Sequence, residues 1–185
     1  MKKVFYAAFL LVITIIMVSC ATGPAFDLYF TSSAVNAVKF GNDKPEDVTS
    51  LVVTLQGLEV HKSSAGQDSG WVSLTPPSGS VDLMSIQGVE DLISSTEITE
   101  GSYNQIRFLV STATVTTESG TYDATVPSTK IHVAVQFDVV SGESTEVVLE
   151  WDPDSSLNVT GSDPPKYTLN PVIHVKRVKN PNSYL

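Results

Sequence analysis

Lys130-Ile131-His132-Val133-Ala134-Val135-Gln136-Phe137-Asp138-Val139 decides the fold class. Ile131, Val133, Val135, Phe137 and Val139 alternate with Lys130, His132, Ala134, Gln136 and Asp138. Successive side chains of an extended strand point to opposite faces, so the first set meets a core and the second meets water. The same period runs through Thr145 to Trp151, where Val147, Leu149 and Trp151 alternate with Glu146, Val148 and Glu150. In Tyr103 to Val110, Ile106, Phe108 and Val110 share one face, and Gln105 and Arg107 point the other way. Half-buried antiparallel sheets carry this pattern.

Outward from these runs the chain repeats one theme. Leu51 to His61 is a long Val/Leu-rich run with Gly57 as a candidate bulge. Gly41-Asn42-Asp43-Lys44-Pro45, Ser63 to Gly70 and Pro76-Pro77-Ser78-Gly79 read as loops and turns around Trp71-Val72-Ser73-Leu74 and Ser80 to Met84. Phe26 to Phe30, Leu157-Asn158-Val159 and Tyr167 to Val175 supply further strands. Ile86 to Ile98 is the one stretch with helical spacing, from Val89, Leu92 and Ile93. About nine or ten strands at roughly 8–12-residue spacing predict an all-β fold, a single antiparallel β-sandwich of Ig-like or prealbumin-like type.

The N-terminus reads differently. Met1-Lys2-Lys3 is a short positive segment, and Val4 to Val18 is apolar apart from Thr14. As a helix that run spans about 22 Å, short of the ~30 Å bilayer core, so it reads as a secretory leader and not a membrane span. Met17-Val18-Ser19-Cys20 resembles a bacterial lipobox. Cys20 is the sole cysteine, so it has no disulfide partner within the chain, and a free thiol in an oxidising compartment would be a liability. The expected organisation is a lipoprotein signal peptide at 1–19, lipid attachment at Cys20, a short tether at 20–25, the sandwich at 26–176 and a C-terminal tail at 177–185. Ala21 is not the aspartate that resembles an inner-membrane retention signal. The expected location is therefore the outer membrane of a Gram-negative cell, or otherwise the outer face of the cytoplasmic membrane.

The net charge is −9, and removal of Lys2 and Lys3 with the leader makes it more negative. Such a chain lacks the basic footprint that DNA, RNA or anionic lipid requires.

Several segments then read together: Val53 to His61, Trp71-Val72, Val81-Asp82-Leu83, Gly101-Ser102-Tyr103-Asn104-Gln105-Ile106-Arg107-Phe108, Val126-Pro127-Ser128, Leu149-Glu150-Trp151-Asp152 with Ser156-Leu157, and Lys166 to Ile173. In this order, from about Phe26 to Val175, they resemble a bacterial lipoprotein domain family, the domain of unknown function numbered 4382. The resemblance implies a prealbumin-like or carbohydrate-binding-like β-sandwich and carries no catalytic residues.

The residues themselves offer several candidate sites. Tyr103, Gln105 and Arg107, with Trp71, supply the aromatic and planar hydrogen-bonding groups that a glycan site uses. Against this stands a plain ion pair, with Arg107 meeting Asp82 or Glu59 across strands. Asp152 and Asp154, in Glu150-Trp151-Asp152-Pro153-Asp154-Ser155, are the better metal candidate, for calcium, although the spacing departs from a dedicated calcium loop and also fits an ordinary capped turn. His61, His132 and His174 each stand alone on a strand and read as surface or edge histidines, though Glu59 and His61 share a face. Trp151 falls on an apolar face and reads as core. Asn158-Val159-Thr160 matches a glycosylation sequon, which a bacterial chain leaves unused. No Gly-x-Ser-x-Gly elbow is present, and no cofactor is called for.

The expectation is a membrane-anchored envelope lipoprotein with a non-enzymatic binding or structural sandwich, its ligand a glycan or an envelope protein. A calcium-stabilised adhesion or assembly component is the alternative, and an enzyme is the least favoured reading.

Overall fold

Alternation of apolar and polar residues builds twelve strands and one helical turn in the computed structural model, which describes residues 23–34, 48–75, 79–161 and 164–180. The expected leader, Cys20 and the first half of the tether lie outside the described residues, as do the loop at 41–45, Pro76-Pro77-Ser78 and the end of the tail.

The strands are β1 (Ala25–Ser32), β2 (Val48–Lys62), β3 (Trp71–Leu74), β4 (Ser80–Asp82), β5 (Asp91–Glu97), β6 (Gly101–Thr117), β7 (Gly120–Thr125), β8 (Lys130–Val139), β9 (Ser144–Trp151), β10 (Leu157–Thr160), β11 (Lys166–Leu169) and β12 (Ile173–Lys179). The helical turn α1 is Pro153–Ser156. A four-stranded sheet runs β12-β9-β1-β5, and an eight-stranded sheet runs β10-β11-β7-β6-β2-β3, with β8 also on β6 and β4 also on β2. The long β6 is shared along its length, its first half by β8 and its second half by β7.

The inner faces of the two sheets meet through aromatic rings. Phe26 of β1 stacks on Phe137 of β8 at 4.7 Å between centroids, and Phe30 of β1 meets Phe108 of β6 at 5.1 Å. Trp151 approaches Phe30 edge-on at 6.2 Å and is fully buried, as its place on the apolar face of β9 predicts. These contacts, with the Val and Leu positions of β2, β6 and β8, form one apolar core.

Three expectations change. The sandwich-like pair of sheets is mixed, because β1 pairs β9 in parallel and β11 pairs β7 in parallel. Ile86 to Ile98 holds no helix: it forms a turn and then β5. Two of the three residues that gave the helical spacing, Val89 and Leu92, are 59% and 49% exposed and only Ile93 is buried, while Asp91 to Glu97 takes its hydrogen bonds from pairing with β1. The strand β12 runs to Lys179, into the expected tail. There Arg177 and Lys179 pair with Glu146, Arg177 also pairs with Glu90, and together they hold the edge. No helix among the described residues is long and apolar enough to cross a membrane.

Candidate functional site

The outer face of the eight-stranded sheet gathers the side chains that the sequence singles out. Across β2, β6 and β8, the inward residues Val60, Ile106 and Val133 stand in register. The next positions therefore point outward together. Glu59, Arg107 and His132 form one cross-strand row, and His61, Gln105 and Ala134 form the next. On the other side of β2, Trp71 of β3 stands opposite His61.

Arg107 is the centre. Its Nη2 forms an ion pair with Glu59 Oε2, and its Nε–H donates to the same oxygen at 2.6 Å. The guanidinium carbon lies 3.8 Å from the centroid of the Trp71 ring, a cation–π contact. The side chains of Arg107 and Glu59 are 17% and 18% exposed, so the pair is shielded but not sealed. Of the two partners open to Arg107, Glu59 is the one it takes. Asp82 instead accepts from Ser50 Oγ and from the Leu51 and Met84 N–H groups.

Trp71 is half-buried, with Arg107 over its ring, His61 at 4.8 Å and His132 edge-on at 5.5 Å. Its Nε1–H donates to the Gln67 carbonyl at 3.1 Å, which ties the β2–β3 loop to the cluster. His61 ties the same loop. Its Nε2–H donates to the Gly66 carbonyl at 3.0 Å, and its Nδ1 lies 2.9 Å from Asn104 Oδ1. At 3% exposed, His61 is not the surface histidine its isolation in sequence suggests. Its pKa is raised, first by the Gly66 carbonyl and then by Asn104, both of which favour a protonated ring. His132 is exposed, and its Nδ1 lies 3.4 Å from Gln105 Oε1. Its pKa is lowered by desolvation, then by the positive charges of Arg107 and Lys130.

Tyr103 leaves the group. Strict alternation would set it on the face of Gln105 and Arg107, but the register shifts between Tyr103 and Gln105 on both sides of β6. Asn104 takes up that irregularity and turns its amide to His61, so Tyr103 faces inward. The Tyr103 ring is 1% exposed, stacks on Phe137 at 5.2 Å, and donates its hydroxyl to the Thr99 carbonyl at 2.7 Å. Burial raises its pKa.

Beyond this bulge lies a polar cavity of about 410 Å³ lined by Ser63, Ser102, Tyr103, Gln136, Phe137, Asp138 and Asn180. Ser102 Oγ donates to Asp138 Oδ1 at 2.5 Å, and the Asp138 N–H donates to Asn180 Oδ1 at 3.1 Å. Sequence reasoning missed this cavity, because its walls come from four separate segments.

The acidic candidate has a structural use. Asp152 is the N-cap of α1. Its Oδ1 accepts the Ser155 N–H at 3.0 Å and its Oδ2 accepts the Ser155 hydroxyl at 2.7 Å; these bonds hold its pKa below the usual carboxylate value. Asp154 lies in the first turn of the same helix. Among the described residues, no group of three or more His, Cys, Asp or Glu side chains is placed to hold a metal ion. Beside the cap, Ser156 Oγ accepts from Trp151 Nε1 and the Val172 N–H and donates to the Asp152 carbonyl. His174 is exposed on β12.

The chain belongs to the family described as a domain of unknown function (DUF4382), whose family model matches residues 42–171. The match is narrower than the Phe26 to Val175 stretch suggested by the segments, and it includes every residue of the Trp71–Arg107 cluster. No curated protein and no solved structure matches the chain.

Proposed function

We propose that the chain is a membrane-anchored bacterial envelope lipoprotein whose sandwich is a non-enzymatic glycan-binding module, with the outer face of the eight-stranded sheet as its contact surface. One observation carries this reading: Arg107 and His132 pack against Trp71 on a solvent face, and Gln105 joins them through His132. An outer sheet face needs only polar residues to stay soluble. Planar donors and acceptors locked against an indole go beyond that need, and fixed planar groups suit the recognition of sugar hydroxyls. Because Arg107 lies over its ring, Trp71 serves as the support that orients the guanidinium and not as an open stacking platform. The scaffold is read as prealbumin-like, in keeping with the segment resemblance.

The anchor in this reading is Cys20. Each buried CH₂ of an acyl chain contributes about 0.8 kcal/mol, so the several chains of a bacterial lipoprotein hold it stably where one would not. The membrane is the outer one if the cell is Gram-negative.

Two measurements test the proposal. Cys20→Ser should release the protein from the membrane fraction or block its processing; unchanged retention with normal cleavage removes the anchor. The wild-type protein should bind members of a glycan array, and Arg107→Ala should lose those signals. An array on which the two proteins behave alike removes the site.

A further inference from the structure

The Trp71–Arg107 cluster and the polar cavity lie on one continuous face. His132, Ala134, Gln136 and Asp138 are all exposed and alternate along β8 with buried Ile131, Val133, Val135 and Phe137. His132 belongs to the cluster through Trp71 and Gln105, and Gln136 and Asp138 line the cavity. At ~3.3 Å per residue, His132 to Asp138 covers about 20 Å, and the three strands β2, β6 and β8 give a ribbon about 10 Å wide. No bulky side chain interrupts β8 between the two ends, where Ala134 is the neighbour of Gln105.

The ribbon is polar along its length. Gln105, Gln136, Asn180, Ser63 and Ser102 offer carboxamides and hydroxyls, and the charges of Arg107 and Glu59 answer each other. Asp138, with its carboxylate, and the overall charge of −9 disfavour a polyanion.

We infer that the ligand is a neutral oligosaccharide chain that lies along β8, with one end at Arg107 and Gln105 and the other in the cavity at Gln136 and Asp138. This inference rests on the glycan-binding reading and extends it from a patch to a row of subsites. A ligand that fills both ends binds more tightly than one that fills one end, because the second contact adds no new cost of association.

The test uses the full chain extracted from membranes in detergent, titrated with mono- to hexasaccharides of β-linked glucose and of β-linked N-acetylglucosamine. Affinity should climb with chain length for at least one series. Gln136→Ala and Asp138→Asn should each weaken the hexasaccharide about tenfold, the equivalent of one lost hydrogen bond, and leave the disaccharide unchanged. Gln105→Ala should weaken both lengths. Gln136 is exposed, so its truncation leaves the fold intact, and an unchanged melting temperature checks this. If disaccharide and hexasaccharide bind equally, or if the cavity variants change neither while Gln105→Ala weakens both, the row of subsites is overturned and the single-patch reading stands. If no member of either series binds, the inference is overturned; array signals confined to other glycans would then leave the broader reading in place, and a blank array would remove that as well.

Discussion

Replacing Arg107 with alanine should destabilise the protein by about 2 kcal/mol, and the structure sets that figure. A fully exposed ion pair is worth about 0–1 kcal/mol, and breaking a fully buried one costs about 3–5 kcal/mol. With side chains 17% and 18% exposed, Arg107 and Glu59 fall between these limits. Two contacts from the guanidinium reach one carboxylate oxygen, and hydrogen bonds to charged groups contribute about 1.5–3 kcal/mol. The cation–π contact on Trp71 adds about 0.5–1 kcal/mol at a partly exposed site. Part of this returns when water reaches the carboxylate of Glu59. For a domain of this size, about 2 kcal/mol lowers the melting temperature by about 4–8 °C. The assay is a double-mutant cycle of Arg107→Ala, Glu59→Gln and the pair, read by urea unfolding and by calorimetry. The singles and the pair should differ from additivity by about 1 kcal/mol. If Arg107→Ala costs under about 0.5 kcal/mol, or if the effects add, the cluster is not a coupled unit and the reasoning fails.

Ser156→Ala should cost about 2–4 kcal/mol by urea unfolding, because it leaves both the Trp151 indole N–H and the Val172 N–H without their acceptor in a buried site. Asp152→Ala removes the α1 cap and should cost about 1 kcal/mol at neutral pH. Because the carboxyl pKa is lowered on folding, that contribution is present above the ordinary carboxylate value and fades as pH falls through the folded value. The difference between wild type and variant should therefore shrink in acid. His61 has the opposite sign. Its pKa is raised, so its contribution is complete below about pH 6.5 and declines as pH rises through the folded value. His61→Gln should lose more melting temperature at pH 5.5 than at pH 8, and an equal loss at both would contradict the bonding to Gly66 and Asn104.

Much of the scaffold can be read from local pattern, because alternation alone decides which face of a strand is buried. The alternation from Lys130 to Val139 survives without a break, and Trp151 is buried as its face predicts. What failed had non-local causes. Tyr103 changes face at an irregularity shared with β2 and β8, and Asn104 by itself does not announce a bulge. The parallel pairing of β1 with β9 joins segments far apart in the chain, and period-two patterning carries no information on strand direction. At the site, Gln105 and Arg107 are visible as a polar pair on one strand. The selection of Glu59 over Asp82, the arrival of Trp71 over the guanidinium, and the burial of His61 depend on register between strands. Ser156 belongs to one of the family-like segments, but nothing local shows its role as an acceptor: that appears only when Trp151 and Val172 converge on it.

The central claim is that glycans engage the Arg107–Trp71 face, and tryptophan fluorescence tests it most directly. The chain has two tryptophans, and Trp151 is 1% exposed in the core, so a ligand-dependent signal belongs to Trp71. Titration with a glycan that the wild-type protein captures on the array should change the Trp71 emission saturably and protect it from a soluble quencher, and Arg107→Ala should abolish both effects. A glycan that binds with Trp71 emission and quenching unchanged would contradict the account.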